Sequence, residues 1–414
     1  MRIALIAFGS RGDVEPLIAL ALRLRRDGHD PVIGASPGFD GWVRGYGIGF
    51  RPVGRDIEVW IREHGARLVG NPLRLMPKAM EYLRDEIELG FEHTLTAARG
   101  ADLIVSGVHG AAPSVAEAMG VPHRLLLYCP QMIPSRHHTP MGLPWVSLPA
   151  PLNAVLWRGC GRGFDLGLGP AINAGRRQLG LRPIDDVLPH LVSDHTILAT
   201  DPLLGAIPDD APVSVTQTGS MRLDDRAGLD PELEAFLDAG EPPISIGFGS
   251  MGDHDPRRTT RALVEALNGR RAVLLSGWAD LGDATLPPNV FVARTAPHGR
   301  LLPRVAIAIH HGGAGTTAAA ARAGVPQIVV PHVADQFYWG RQVWTLGLGS
   351  APLRRDRLTA AALRGAIEYV GEHAEIAARA RDVGARLRNT DGAGRVAELL
   401  DRAIPEDREE RFAA

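Results

Sequence analysis

The chain has 414 residues, 45% hydrophobic and 22% charged, with a formal net charge of −2. This composition suits a globular protein of two domains, at roughly 100–200 residues each, and the near-neutral charge argues against a nucleic acid as main partner. No apolar stretch approaches the roughly 18 residues needed to cross a bilayer, so no stable membrane insertion is expected. Cys129 and Cys160 lie in no metal-ligand spacing and fit a reduced, cytoplasmic protein.

In chain order, residues 2–8 read as a buried strand, 9–13 as a glycine turn, and Leu17, Leu20, Ala21 and Leu24 as one stripe of a helix ending near Gly28. Residues 31–35 form the next strand, a βαβ opening that implies a parallel sheet. Short or irregular pieces cover 42–47 and 57–70. Apolar residues at spacings of three and four from Met76 to Leu95 then mark a long helix. Strands at 103–108 and 124–129 flank an Ala-rich helix. Residues 130–151, with five prolines from Pro134 to Pro151 and adjacent His137 and His138, read as a long functional loop. No Cys, Asp or Glu nearby turns the histidine pair into a metal site.

After a strand at 195–200, residues 203–212 have the Pro, Gly and Asp content of a linker. The expected division is a first domain over 1–202, a second over 213–395, and a closing helix and tail over 396–414. Strands of the second domain are expected at 213–217, 244–248, 272–276, 290–293, 305–309 and 327–330, with helices between. Phe8-Gly-Ser-Arg-Gly-Asp13 recurs as Phe248-Gly-Ser-Met-Gly-Asp253. Two such halves place a glycine turn at each sheet's C-terminal edge, where ligands of open α/β sheets bind.

The second domain also carries His310-His-Gly-Gly-Ala-Gly-Thr-Thr317 between an apolar strand and an Ala-rich helix. Glycines let the backbone approach a ligand, and the free N–H groups of a helix start favour an anion such as a diphosphate. Ser10, Arg11 and Ser250, from the paired turns, are further candidate donors. Asp13 and Asp335 each stand at a helix start, where a cap and a functional carboxylate are both open readings. Asp335-Gln336 also suits hydroxyl recognition. Asp253-His-Asp255 has the form of a metal-binding Asp-x-Asp, but it precedes Pro256 at a helix start. Capping is favoured there, and no metal requirement is expected.

Together these motifs resemble the GT-B glycosyltransferases, in the branch that includes glycopeptide-antibiotic, sterol and other natural-product enzymes. The residues carrying the resemblance are Gly9-Ser-Arg-Gly-Asp-Val-Glu-Pro16, His311-Gly-Gly-Ala-Gly-Thr316, Ala323-Gly-Val-Pro-Gln327 and Asp335-Gln336. The resemblance implies an α/β fold of two Rossmann-like domains facing across a cleft. It implies that Asp13 is the general base, where several relatives have His. His311 and the backbone at Gly313, Ala314, Gly315 and Thr316 would hold the diphosphate, Thr295 and His298 would flank the nucleobase, and Asp335 and Gln336 would bind the sugar. The plant members' base-stacking tryptophan is Thr295 here, and their ribose-binding glutamate aligns with Ala319, which leaves both dTDP- and UDP-sugars open as donors.

The implied activity is inverting transfer of a hexose or deoxyhexose to a hydroxyl of a large, partly apolar aglycone, with the nucleotide-sugar as co-substrate and no separate cofactor. Acceptor contacts are expected from 59–77 and 128–151, at Trp60, Met76, Gln131, Met132 and Trp145. The protein would be a monomer or homodimer. A nucleotide-sugar 2-epimerase and a sterol or lipid glycosyltransferase are the alternatives.

Overall fold

A computed structural model describes residues 1–60, 72–141, 143, 148–223, 228–253, 255–282 and 286–403, with the backbone alone over 72–79. Among these residues two parallel sheets form. The first contains β1 (Arg2–Ile6), β2 (Asp30–Ala35), β3 (Gly49–Pro52), β4 (Leu103–Ser106), β5 (His123–Leu127), β6 (Thr196–Leu198) and β7 (Val215–Gln217), in spatial order 3-2-1-4-5-6-7. The second contains β8 (Ile244–Gly247), β9 (Ala272–Leu275), β10 (Val290–Ala293), β11 (Ile307–His310) and β12 (Gln327–Val329), in order 10-9-8-11-12. Central strands such as β4 are buried at every residue, as expected of strands covered on both faces by helices.

In each sheet the strand order reverses at one place, between β1 and β4 and between β8 and β11. Connections leave in opposite directions there, opening a crevice at the strand ends. The glycine turns after β1, β8 and β11 all fall at these crevices. The repeated hexapeptide therefore marks the same topological position in both halves.

Three expectations about organisation are corrected. The strand expected at 213–217 to open the second domain pairs instead with β6 (Thr196↔Val215 to Leu198↔Gln217) and belongs to the first sheet. The expected linker at 203–212 thus lies within the first domain. Asp210 in it accepts hydrogen bonds from Ser135 Oγ at 2.6 Å and Arg136 N–H at 2.8 Å, tying it to the proline-rich loop. That loop is shorter than expected, since the helix Ala150–Gly167 begins inside it. Two further helices, Gly169–Gln178 and Val187–Leu191, fill the stretch before β6, where the sequence pattern marks no element.

The last helix, Gly392–Asp401, crosses back to the first domain. Val396, Ala397 and Leu400 are buried in the same core as Val14, Leu17 and Leu24. Arg23 pairs with Asp391 at 2.9 Å and His29 with Asp401 at 2.9 Å. A second seam joins the domains. Cys129 and Leu204 pack with Tyr338, Trp339 and Val343, and a Cβ on Gly205 would lie 2.9 Å from the Tyr338 hydroxyl.

Candidate active site

Ser10 N-caps the helix Arg11–Arg26. Its hydroxyl accepts from Gly12 N–H, while Asp13 Oδ2 accepts from Ser10 N–H at 2.8 Å. This reciprocal pair satisfies two donors at the helix start. Asp13 is therefore a capping residue by geometry, and capping fixes its carboxyl at the mouth of the crevice. Burial in the cleft raises that carboxyl from 3.8 to about 7. The hydrogen bonds from Ser10 oppose the shift, and the negative charge of Asp335 adds to it. Asp335 comes from the other domain, so the two carboxyls face each other across the cleft.

Asp335 does not cap its own helix. Its Oδ2 accepts the indole N–H of Trp339 at 3.1 Å. Burial raises it to about 6. Ala334 before it has φ +52°, an uncommon backbone for a residue with a Cβ and a mark of a functional turn. Gln336 is buried. Its carbonyl oxygen accepts from His332 N–H at 2.8 Å and Val333 N–H at 3.1 Å, and its NH₂ rests on Met251 sulfur. With the oxygen occupied, that NH₂ is the group left for an outside partner.

The glycine turn after β11 opens a helix, as the sequence pattern predicts. Gly313 N-caps the helix Ala314–Ala323 with no side chain to occupy its first N–H groups, so Ala314, Gly315 and Thr316 present theirs to the crevice. Thr317 Oγ1 donates to Gly313 O at 2.9 Å. His310 is a buried brace, with Nδ1 accepting from Gly312 N–H at 3.1 Å and Nε2 bonded to Gln327 at 2.9 Å.

His311 lies between two turns. A Cβ on Gly249 would be 3.0 Å from its ring, and one on Gly313 would be 2.5 Å away. Its Nδ1 is buried without a hydrogen-bond partner among the described residues. Burial, then the neighbouring His310, His332 and His298, hold it well below 6.5 and hence neutral. Ser250 is half-buried beside it, in the turn after β8.

Other expected residues stand as follows. Arg11 points elsewhere than the anion turn. It bonds Glu15 at 3.3 Å and its guanidinium lies 4.4 Å over the Trp42 ring. Asp253 is 2% exposed and paired with Arg355, and Asp255 caps the following helix through Arg258 N–H. No group of three potential metal ligands occurs among the described residues. Thr295 is exposed and His298 begins a short helix. Burial lowers His298, with Glu15 and Arg11 of the opposite domain acting on it.

The acceptor side needs one correction. Gln131 is fully buried, and its NH₂ donates to Thr139 O at 3.2 Å, so it braces the loop and does not face the cleft. Met132 is half-buried against both domains. Trp60 is half-buried with its ring 4.1 Å from Tyr82. Trp145 and the Met76 side chain lie outside the described residues.

Two residues not singled out from the sequence come to the site through distant contacts, Tyr128 from within the expected acceptor stretch and Trp278 from outside any expected site. The Tyr128 hydroxyl donates to Asp13 O at 3.5 Å. Trp278 N–H donates to Gly249 O at 3.0 Å, and its ring packs against the core of the first domain.

Comparison with known proteins agrees with this arrangement. Residues 3–122 match the glycosyltransferase family 28 N-terminal domain, and residues 273–395 match the erythromycin biosynthesis protein CIII-like C-terminal domain. The chain is 36% identical to the vancomycin aglycone glucosyltransferase of Amycolatopsis orientalis over 99% of both chains. It is 35% identical to the dTDP-epi-vancosaminyltransferase of the same organism over 85% of each. The solved structure of the spinosyn forosaminyltransferase SpnP superposes with a TM-score of 0.72 at 18% identity, covering 98% of this chain and 99% of that one. Among the described residues no helix is long and apolar enough to cross a membrane. By sequence, by topology and by the paired glycine turns at its two crevices, the chain belongs to the GT-B glycosyltransferases.

Proposed function

We propose that this glycosyltransferase moves a sugar, with inversion, from a dTDP- or UDP-linked donor to a hydroxyl of a large, partly apolar natural-product aglycone. The observation that carries the reading is the placement of Asp13. It is a desolvated carboxylate, raised to about 7, that faces Asp335 across the cleft. A base is most effective when its pKa lies near the working pH. The sequence alone marks Asp13 as a weak base for an alcohol; burial makes it a stronger one.

Asp13 takes the acceptor's proton as the acceptor oxygen attacks the anomeric carbon. Asp335 and the Gln336 NH₂ hold the sugar hydroxyls. The nucleoside diphosphate leaves from the opposite face, and the N–H groups at Ala314–Thr316 with His311 stabilise its growing charge. Loss of one such preorganised contact costs about a hundred- to a thousandfold in rate. The scheme calls on no metal ion, and the nucleotide-sugar is its donor co-substrate.

The half-buried rings of Phe8, Trp60, Tyr82 and Tyr128 near the helix start support an apolar acceptor face. The relatives named for a vancomycin aglycone and for a dTDP-sugar support the substrate class. A donor-by-acceptor screen read by mass spectrometry tests the proposal. Nucleotide released only when acceptor is present supports it, and epimerised donor formed without acceptor would sink it.

A further inference from the structure

The C-terminal edge of the second sheet runs β10, β9, β8, β11, β12, and the groups along it follow an order. Asp335 stands after β12, and its charge acts on Asp13, so a sugar undergoing attack lies at the β12 end. The anion turns follow β8 and β11, in the middle of the edge. A nucleotide-sugar is a linear molecule with its base and its sugar at opposite ends of the diphosphate. Its base must therefore extend toward β9 and β10. This step rests on the proposed donor.

At that end, Thr295 after β10 is exposed and offers a methyl and a hydroxyl but no ring. The neighbouring strand supplies one. β9 pairs with β10 as far as Leu275↔Ala293, and Gly277 N–H continues the ladder by donating to Arg294 O at 3.1 Å. Gly277 has φ +54°, and a Cβ there would stand 2.4 Å from Gly249 O. Only glycine fits both the backbone angle and the close approach. The turn after β9 is thereby pressed onto the turn after β8, and the next residue, Trp278, is fixed by its N–H on that same Gly249 carbonyl at 3.0 Å. Its ring is half-buried and reaches the core of the opposite domain.

We propose that Trp278 is the platform on which the donor's nucleobase stacks, and that Gly277 sets its position. Every base has a π-face, so such a platform holds thymine and uracil alike and adds affinity without choosing between them. Alanine substitution at base–aromatic stacks corresponds to about a 10- to 100-fold loss of affinity.

The test is calorimetric titration of the full chain and its Trp278→Ala and Trp278→Phe variants with dTDP, UDP and inorganic pyrophosphate. The platform predicts a loss of about 10- to 100-fold for both nucleotides in Trp278→Ala, recovery of most of it in Trp278→Phe, and unchanged pyrophosphate affinity. Unchanged dTDP affinity in Trp278→Ala overturns the platform. An equal loss for pyrophosphate also overturns it and makes Trp278 a strut between the domains. If the unaltered chain binds neither nucleotide, the proposed donor itself falls, and this inference with it.

Discussion

A Cβ on Gly9 would stand 2.4 Å from Oδ2 of Asp13, and Gly9 itself has φ +127°. No side chain fits there without moving the carboxylate proposed as the base. Gly9→Ala should therefore displace Asp13 and lower turnover by about a hundredfold or more, while dTDP affinity stays near that of the parent. Initial rates and a titration on the same preparation check this. Parent-like turnover would show that Asp13 does not need its observed position.

The pH profile should report the same carboxyl. Asp13 must be deprotonated to act as a base, so kcat/KM should rise with pH through an apparent pKa of about 7. Removing the opposing charge with Asp335→Asn should move that limb to lower pH, even though sugar binding also weakens. A limb that stays in place would rule out coupling between the two carboxyls.

Asp13 should also cost stability where it aids catalysis. Its folded pKa is raised from 3.8 to about 7, so folding favours the protonated form. The stability this confers is full below about pH 4 and is lost as pH rises through 7. Asp13→Asn should thus melt above the parent at pH 8 and converge with it at pH 4, as thermal denaturation would show.

Histidines act in the opposite sense. Burial, the first cause for each, holds His109, His190, His310 and His332 at about 4 and His123 at about 3. The unfolded chain protonates these residues near 6.5 and the folded chain does not. Stability should fall as pH drops from about 6.5 to about 4. These five groups outnumber Asp13 and Asp335, whose shifts oppose them, so the urea midpoint should be lower at pH 5 than at pH 7.5.

The Asp-x-Asp segment gives a prediction about metals. Asp253 serves Arg355, Thr259 Oγ1 at 3.0 Å and Asp255 N–H at 2.9 Å. Asp253→Ala should cost about 3 kcal/mol of stability by leaving Arg355 without its carboxylate. Treatment of the unaltered chain with a chelator should leave transfer intact, whereas a chelator-sensitive rate would mean that the segment does hold a cation.

Much of this molecule is legible from local sequence. Apolar runs bounded by glycines locate the central strands, because such strands are buried on both faces. The repeated Phe-Gly-Ser-x-Gly-Asp locates equivalent crevices, because a sharp strand-to-helix turn needs glycine wherever it occurs. What is not legible depends on distant partners. Val215–Gln217 is only three residues long, and nothing in it says which sheet it joins. The helix Ala150–Gly167 holds four glycines, at 159, 161, 163 and 167, with Pro151 near its start, and these hide the helical period.

At the site the same division holds. The helix-start positions of Asp13 and of the glycine turn at Gly313 follow from their own spacing. Gln131 looks like a ligand residue until Thr139 is seen to occupy its amide. Trp278 looks like core filler until Gly249 and the order of the strands show where its turn is pressed.

The return of the last helix to the first domain has a mechanical consequence. A chain that crosses between two bodies once leaves them joined by a swivel, free to twist and tilt. This chain crosses near Gly219 and crosses back near Gly392, whose Cβ would lie 2.3 Å from Gly219 O. The two crossings run side by side, and Arg23–Asp391 and His29–Asp401 fasten the returning helix to the first domain. Two adjacent connections restrain twist and tilt between the lobes more than a single one would, which favours a constant placement of Asp13 relative to Asp335.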